Sequence, residues 1–187
     1  MSYLADYLAE TARVIQAFDL AAVSDLVTAL EQARRDGHRV FVCGNGGSAS
    51  LASHLAADLN KGCLRPDLPP FRVIPLVDNL ATLTAYGNDV DYAEVFAAQL
   101  PNHWQAGDLL LVISGSGNSE NCVRALAWAR AHEGRTAGLL AFGGGRCAPL
   151  CDVAVIAPTR DMQHAEDAHA VLCHLLMKVL SGEGTVD

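Results

Sequence analysis

Val40-Phe41-Val42-Cys43 runs straight into Gly44-Asn45-Gly46-Gly47-Ser48, and about seventy residues on Leu109-Leu110-Leu111-Val112-Ile113 runs into Ser114-Gly115-Ser116-Gly117-Asn118-Ser119. Both apolar runs lack polar alternation, as a strand does when helices cover both its faces. Both end in a Gly/Ser/Asn loop that opens onto a helical pattern. Such loops suit anions. Glycines let the backbone approach closely, hydroxyls donate hydrogen bonds, and a helix start adds free N–H groups and the positive end of its dipole. We read the two loops as a phosphate site and its flank.

Outward from these loops, strand and helix patterns alternate with short connections. Two helices come first: residues 2–18, with Leu4, Leu8, Ile15 and Phe18 near helical spacing, and residues 20–35, with Gly37 as the stop. Strands follow at 38–43, 71–77, 109–113, 136–142 and 152–157. Helices are expected at 48–60, 79–86, 91–100, 118–132 and 162–181, and Gly143-Gly144-Gly145 reads as a turn. The expected fold is α/β, a doubly wound parallel sheet of five strands flanked by helices. Ligands of such sheets bind at the carboxyl ends of the strands, where both loops fall. With no linker or low-complexity stretch, residues 1–187 read as one domain, with 1–36 a helical pair and 37–187 the α/β core.

Composition narrows the function. Of 187 residues, 51% are apolar and 18% charged, which excludes a disordered chain. The net charge is −8 and only Arg34-Arg35 pairs two cations, which argues against nucleic acid or an anionic membrane as partner. A phosphate must then be held by backbone and hydroxyl groups. No apolar run reaches the roughly 18 residues of a membrane span. The start, Met1-Ser2-Tyr3-Leu4, does not resemble a signal peptide, so a cytoplasmic location is expected. Cys43, Cys63, Cys122, Cys147, Cys151 and Cys173 contain no C-x-x-C pair and read as small core hydrophobes.

The ionisable residues supply the chemistry. Ser114, Ser116 and Ser119 put three hydroxyls into six residues, and Ser119 is also a candidate N-cap for the next helix. His54 and Asp58, four apart on a helix, share a face and can ligate one metal or act on one substrate. The last helix sets Glu166, Asp167, His169 and His174 among Ala, Val and Leu. Glu166 and His174 are separated by ~12 Å of rise and roughly 80° of rotation. His169 lies closer to the Glu166 face, and helical geometry alone does not choose between the two histidines. No P-loop and no helix-opening G-x-G-x-x-G is present, which disfavours nucleotides.

Taken in order, Gly44-Asn45-Gly46-Gly47-Ser48, His54, Gly87-Asn88-Asp89, Ser114-Gly115-Ser116-Gly117-Asn118-Ser119 and Glu166-Asp167-Ala168-His169 with His174 resemble the sugar isomerase (SIS) domain family, and within it the phosphoheptose isomerases. The resemblance implies a phosphate held by Ser114, Gly115, Ser116 and Ser119. It implies a sugar lined by Asn45, Gly46, Gly47, Ser48, Asn88, Asp89 and Glu166. It further implies one zinc per subunit on His54, Asp58, Glu166 and His174, and so prefers His174 to His169. Asp58 stands where the family usually has Glu, and Glu166 where Gln is frequent.

The implied reaction is aldose–ketose isomerisation of sedoheptulose 7-phosphate through an enediol, with Asp58 as base, Glu166 its substitute and His174 as acid. The implied assembly is a homotetramer with sites at subunit contacts. Two alternatives belong to the same resemblance: a noncatalytic member that binds a sugar phosphate or a replication initiator protein, and an isomerase of another phosphosugar. Retention of His54, Asp58, Glu166 and His174 favours an enzyme.

Overall fold

In the computed structural model, which describes residues 2–183, five parallel strands form one sheet: β1 (Val40–Gly44), β2 (Val73–Pro75), β3 (Leu109–Ser114), β4 (Arg135–Leu140) and β5 (Val153–Ile156), in the order β2-β1-β3-β4-β5. Met1 and residues 184–187, included in the 1–187 unit expected above, lie outside the described residues. Every residue of β1 and β3 is buried, which is why neither run alternates. Val40, Val42, Leu109, Leu111, Ile113 and Leu139 face one layer of helices. Their neighbours Phe41, Cys43, Leu110, Val112 and Leu140 face the other, as the two-residue period of a strand requires.

The first layer holds α2 (Leu20–Arg35), α3 (Gly47–Ala57) and α6 (Met162–Ser181), and the second is built on α5 (Glu120–Ala131). Helix α1 (Tyr3–Gln16) lies outside, against α6, and α4 (Leu80–Asp89) follows β2. Asp19, Asn79 and Asp161 accept N–H groups at the starts of α2, α4 and α6, and Gly182, with φ +85°, ends α6.

The strand order reverses direction at β1 and β3, so the crevice between their carboxyl ends is the topological switch point. The loops 44–48 and 114–119 flank that crevice.

Three expected elements change. The strand at 71–77 shrinks to β2, because Pro69 and Pro70 precede it and Pro75 has no N–H to extend an edge ladder. The helix at 91–100 becomes two 3-10 turns, Tyr92–Glu94 and Ala97–Asn102, the second containing Pro101. The helix at 48–60 stays α-helical to Ala57 and then widens into a π turn, Asp58–Gly62.

Candidate active site

Two cavities meet at the switch point. The first, of about 460 Å³, lies between α3 and α6 and is lined by Ser50, Leu51, His54, His169 and His174 among others. The second, of about 280 Å³, is lined by Asn45, Gly46, Ser114, Gly115, Ser116, Ser119 and Met162 among others. Gly47, Ser48 and Glu166 line both, so the two form one cleft.

At one end three side chains converge: His54 and His174 line the first cavity, and Asp58, which lines neither, stands beside them. His54 Nε2 lies 3.0 Å from His174 Nε2 and 3.3 Å from Asp58 Oδ2. One ligand atom from each of His54, Asp58 and His174 falls within 4.8 Å of the others. Asp58 is the first residue of the π turn, so the widened backbone sets its aim. Two imidazole nitrogens facing each other beside a carboxylate are a donor set that suits a borderline cation such as zinc. These residues fit the metal that the sequence implied.

Glu166 is not one of the three. Its carboxylate lies against Gly47, where a Cβ would come within 2.7 Å of Oε1. A side chain at position 47 would have to push the Glu166 carboxylate, the far end of a flexible side chain, out of this position. Glu166 therefore stands between the cluster and the second cavity.

The second end is built of donors. Ser114 Oγ accepts the Gly117 N–H at 3.2 Å, which tightens the turn. The N–H groups of Gly46, Ser116 and Ser119 find no acceptor among the described residues. Ser119 occupies the N-cap position of α5, yet its hydroxyl makes no capping bond. Asn121 Oδ1 takes the Cys122 N–H at 2.9 Å in its place, and the expectation that Ser119 caps the helix is corrected on that ground. Ser119, whose hydroxyl makes no capping bond, lines the second cavity.

Two histidines that the helical wheel left equal are separated here. His169 is buried, with Nε2 donating to the Leu140 carbonyl at 2.9 Å, and burial pushes its pKa below the ordinary value. His174 joins His54 and Asp58. Asn45 lines the second cavity, but its amide is committed. It exchanges two 2.9 Å bonds with Asn121 and accepts a third from the Tyr92 hydroxyl.

Asn88 and Asp89 are not brought to the cleft. They sit at the end of α4, bonded to each other at 2.7 Å, and line neither cavity. Asn121, Met162, Ser50 and Leu51 were not anticipated. Only Asn121 left a signal, as an amide in the first turn of an otherwise apolar helix face. All six cysteines are free and five are buried. Burial pushes Cys147 and Cys173 up to about 12, so they act as core residues rather than nucleophiles.

Residues 3–141 match the model of the SIS domain. The chain belongs to the SIS domain family, in its phosphoheptose isomerase branch. It is 36% identical over 155 residues to the phosphoheptose isomerase of Rhodospirillum rubrum, covering 83% of this chain and 82% of that protein. It is 39% identical over 154 residues to that of Pelobacter propionicus, covering 82% and 81%. The solved phosphoheptose isomerase of Neisseria gonorrhoeae superposes with a TM-score of 0.86 at 27% identity, covering 96% of this chain and 97% of that one.

Proposed function

We propose that this phosphosugar isomerase interconverts sedoheptulose 7-phosphate and D-glycero-D-manno-heptose 7-phosphate. The observation that carries the reading is the single cleft with a donor-rich loop at one end, a His54/Asp58/His174 cluster at the other and Glu166 between. Loop N–H groups and the Ser116 and Ser119 hydroxyls hold the phosphate. Binding so far from the reacting carbons supplies positioning energy.

Asp58 then removes the proton alpha to the carbonyl. The electron pair moves onto the carbonyl oxygen to form the enediol, and the proton returns to the neighbouring carbon. His174 moves a proton between the two oxygens. His54, Asp58 and His174, with Glu166 from the adjoining wall as the proposed fourth ligand, would hold a zinc ion, which would supply Lewis-acid polarisation of the carbonyl. Glu166 is the second choice as base, because it lies between the phosphate end and the cluster. We further propose one zinc per chain, a single SIS unit over 1–187, a cytoplasmic location and a homotetramer.

The test pairs elemental analysis with turnover of sedoheptulose 7-phosphate. The expected result is about one zinc per chain, turnover of the heptulose phosphate, and loss of turnover in chelator. Full activity without metal overturns the zinc assignment. Binding of the sugar phosphate without turnover favours the noncatalytic reading.

A further inference from the structure

The Gly143-Gly144-Gly145 turn lies against the back of the 114–119 loop and lines neither cavity of the cleft. Four hydrogen bonds join the two loops or brace the contact between them. The Ala141 N–H donates to the Gly115 carbonyl at 3.0 Å, and the Cys147 N–H to the Gly117 carbonyl at 2.8 Å. The Arg146 N–H donates to Asn118 Oδ1 at 3.1 Å, and Asn118 Nδ2 donates to the Ser116 carbonyl at 3.0 Å. Three consecutive carbonyls, of Gly115, Ser116 and Gly117, are thus occupied.

This matters for an anion. A peptide unit in a Gly/Ser loop can present either its N–H or its carbonyl, and a carbonyl oxygen repels phosphate. The Gly115 carbonyl shares its peptide unit with the Ser116 N–H, which is left without an acceptor among the described residues, as is the Ser119 N–H further along the loop. The N–H groups of the other two held units, Gly117 and Asn118, are taken by Ser114 Oγ and Ser116 Oγ and lock the turn. The fit between the loops leaves no room for side chains. A Cβ on Gly145, with φ +52°, would lie 2.6 Å from the Ser116 carbonyl oxygen and 2.7 Å from that of Gly117. A Cβ on Gly117, with φ +64°, would lie 2.1 Å from the Gly144 oxygen. The Arg146 guanidinium is paired with Glu120 at 2.7 Å, and this residue joins the contact between the loops through its backbone N–H.

We propose that the 141–147 loop sets the shape of the phosphate loop, and that Gly145 and Asn118 are positioning residues for phosphate binding. The inference rests on the reading of the 114–119 loop as the phosphate site.

The test measures the affinity of inorganic phosphate by calorimetry, and KM and kcat for sedoheptulose 7-phosphate, in wild type, Gly145→Ala, Asn118→Ala and Arg146→Ala. Gly145→Ala and Asn118→Ala should each weaken phosphate about tenfold and raise KM in step, as loss of one charged hydrogen bond does, with kcat within about twofold. A variant that merely loosened the fold would lower its melting temperature without this split between KM and kcat. Arg146→Ala should match wild type in both. If Gly145→Ala does not fold, Asn118→Ala, which strains no backbone, decides alone. Wild-type phosphate affinity in both positioning variants overturns the inference. So does an Arg146→Ala defect as large as theirs, because the guanidinium would then be the contact. A wild type that binds no phosphate sinks the phosphate site itself and this inference with it.

Discussion

At the scale of single residues the site divides its labour by position. His54, Asp58 and His174 face one another, while Glu166 reaches both cavities. Asp58→Asn and His174→Gln should therefore leave the fold intact and cut turnover by about 10²–10⁴-fold, the span of a positioned acid or base. Glu166→Gln, which restores the commoner family residue, should be the mildest of the three. Steady-state kinetics with metal content measured in each variant decides, since metal loss imitates loss of a base. An inactive Glu166→Gln beside a working Asp58→Asn would move the base to Glu166. His169 makes a separate prediction. Burial holds its folded pKa low, against a smaller opposing effect of the Leu140 carbonyl. The unfolded chain then takes up a proton first as pH falls. This stabilisation is full above the unfolded value of about 6.5 and is lost as pH falls from there toward the depressed folded value. The stability gap between wild type and His169→Gln should narrow from pH 7.5 to about 5.5 in thermal melts. A gap that stays constant would show that His169 titrates alike in both states.

At the scale of elements, what was legible in the sequence was what local pattern determines. The β1 and β3 runs are apolar throughout because both faces are covered, and each stops where Gly, Ser and Asn begin. Those runs placed the two loops at the carboxyl ends of strands, and the strand order that makes the crevice between them a switch point came with the fold. What was hidden depends on distant partners. Ser119 looks like a cap, and only the fold shows that Asn121 takes the N–H instead. The 91–100 stretch has helical spacing but contains no unbroken helix. Arg34, one of the two adjacent cations Arg34-Arg35, is buried. It donates to the carbonyls of Pro69 at 2.6 Å, Cys63 at 2.8 Å and Leu180 at 3.4 Å, beneath the Phe71 ring. One side chain thus ties α2 to the connection before β2 and to the end of α6. Arg34→Met keeps the apolar contact and strands the carbonyls. It should cost on the order of 3 kcal/mol, a fall of about 6–12 °C in Tm. Because none of its partners lines the cleft, kcat should hold. An unchanged Tm would mean that water replaces the guanidinium.

At the scale of the whole molecule, two features bear on the proposed assembly. The outer helices carry apolar stripes that nothing among the described residues covers. Leu4 and Leu8 on α1 are 73% and 69% exposed, and Val171, Leu175 and Val179 on α6 are about 40% exposed. Helical faces of this kind are natural contacts for further copies. His174 lies beside Val171 and Leu175, so a subunit seated on α6 would border the cluster. The second feature is chemical. Asn88 and Asp89, which the family resemblance assigns to the sugar, lie outside the cleft of their own chain. Both are accounted for if these residues serve a neighbour's site in a homotetramer. Light scattering at micromolar concentration should give four chains. Mixing tests the shared site directly. Asp58→Asn and Asp89→Ala, each inactive alone, should regain activity when dissociated and reassembled together, because some sites then combine an intact Asp58 with a partner's intact Asp89. No recovery in mixed tetramers would confine each site to one chain, and a stable, fully active monomer would remove both the assembly and the sharing.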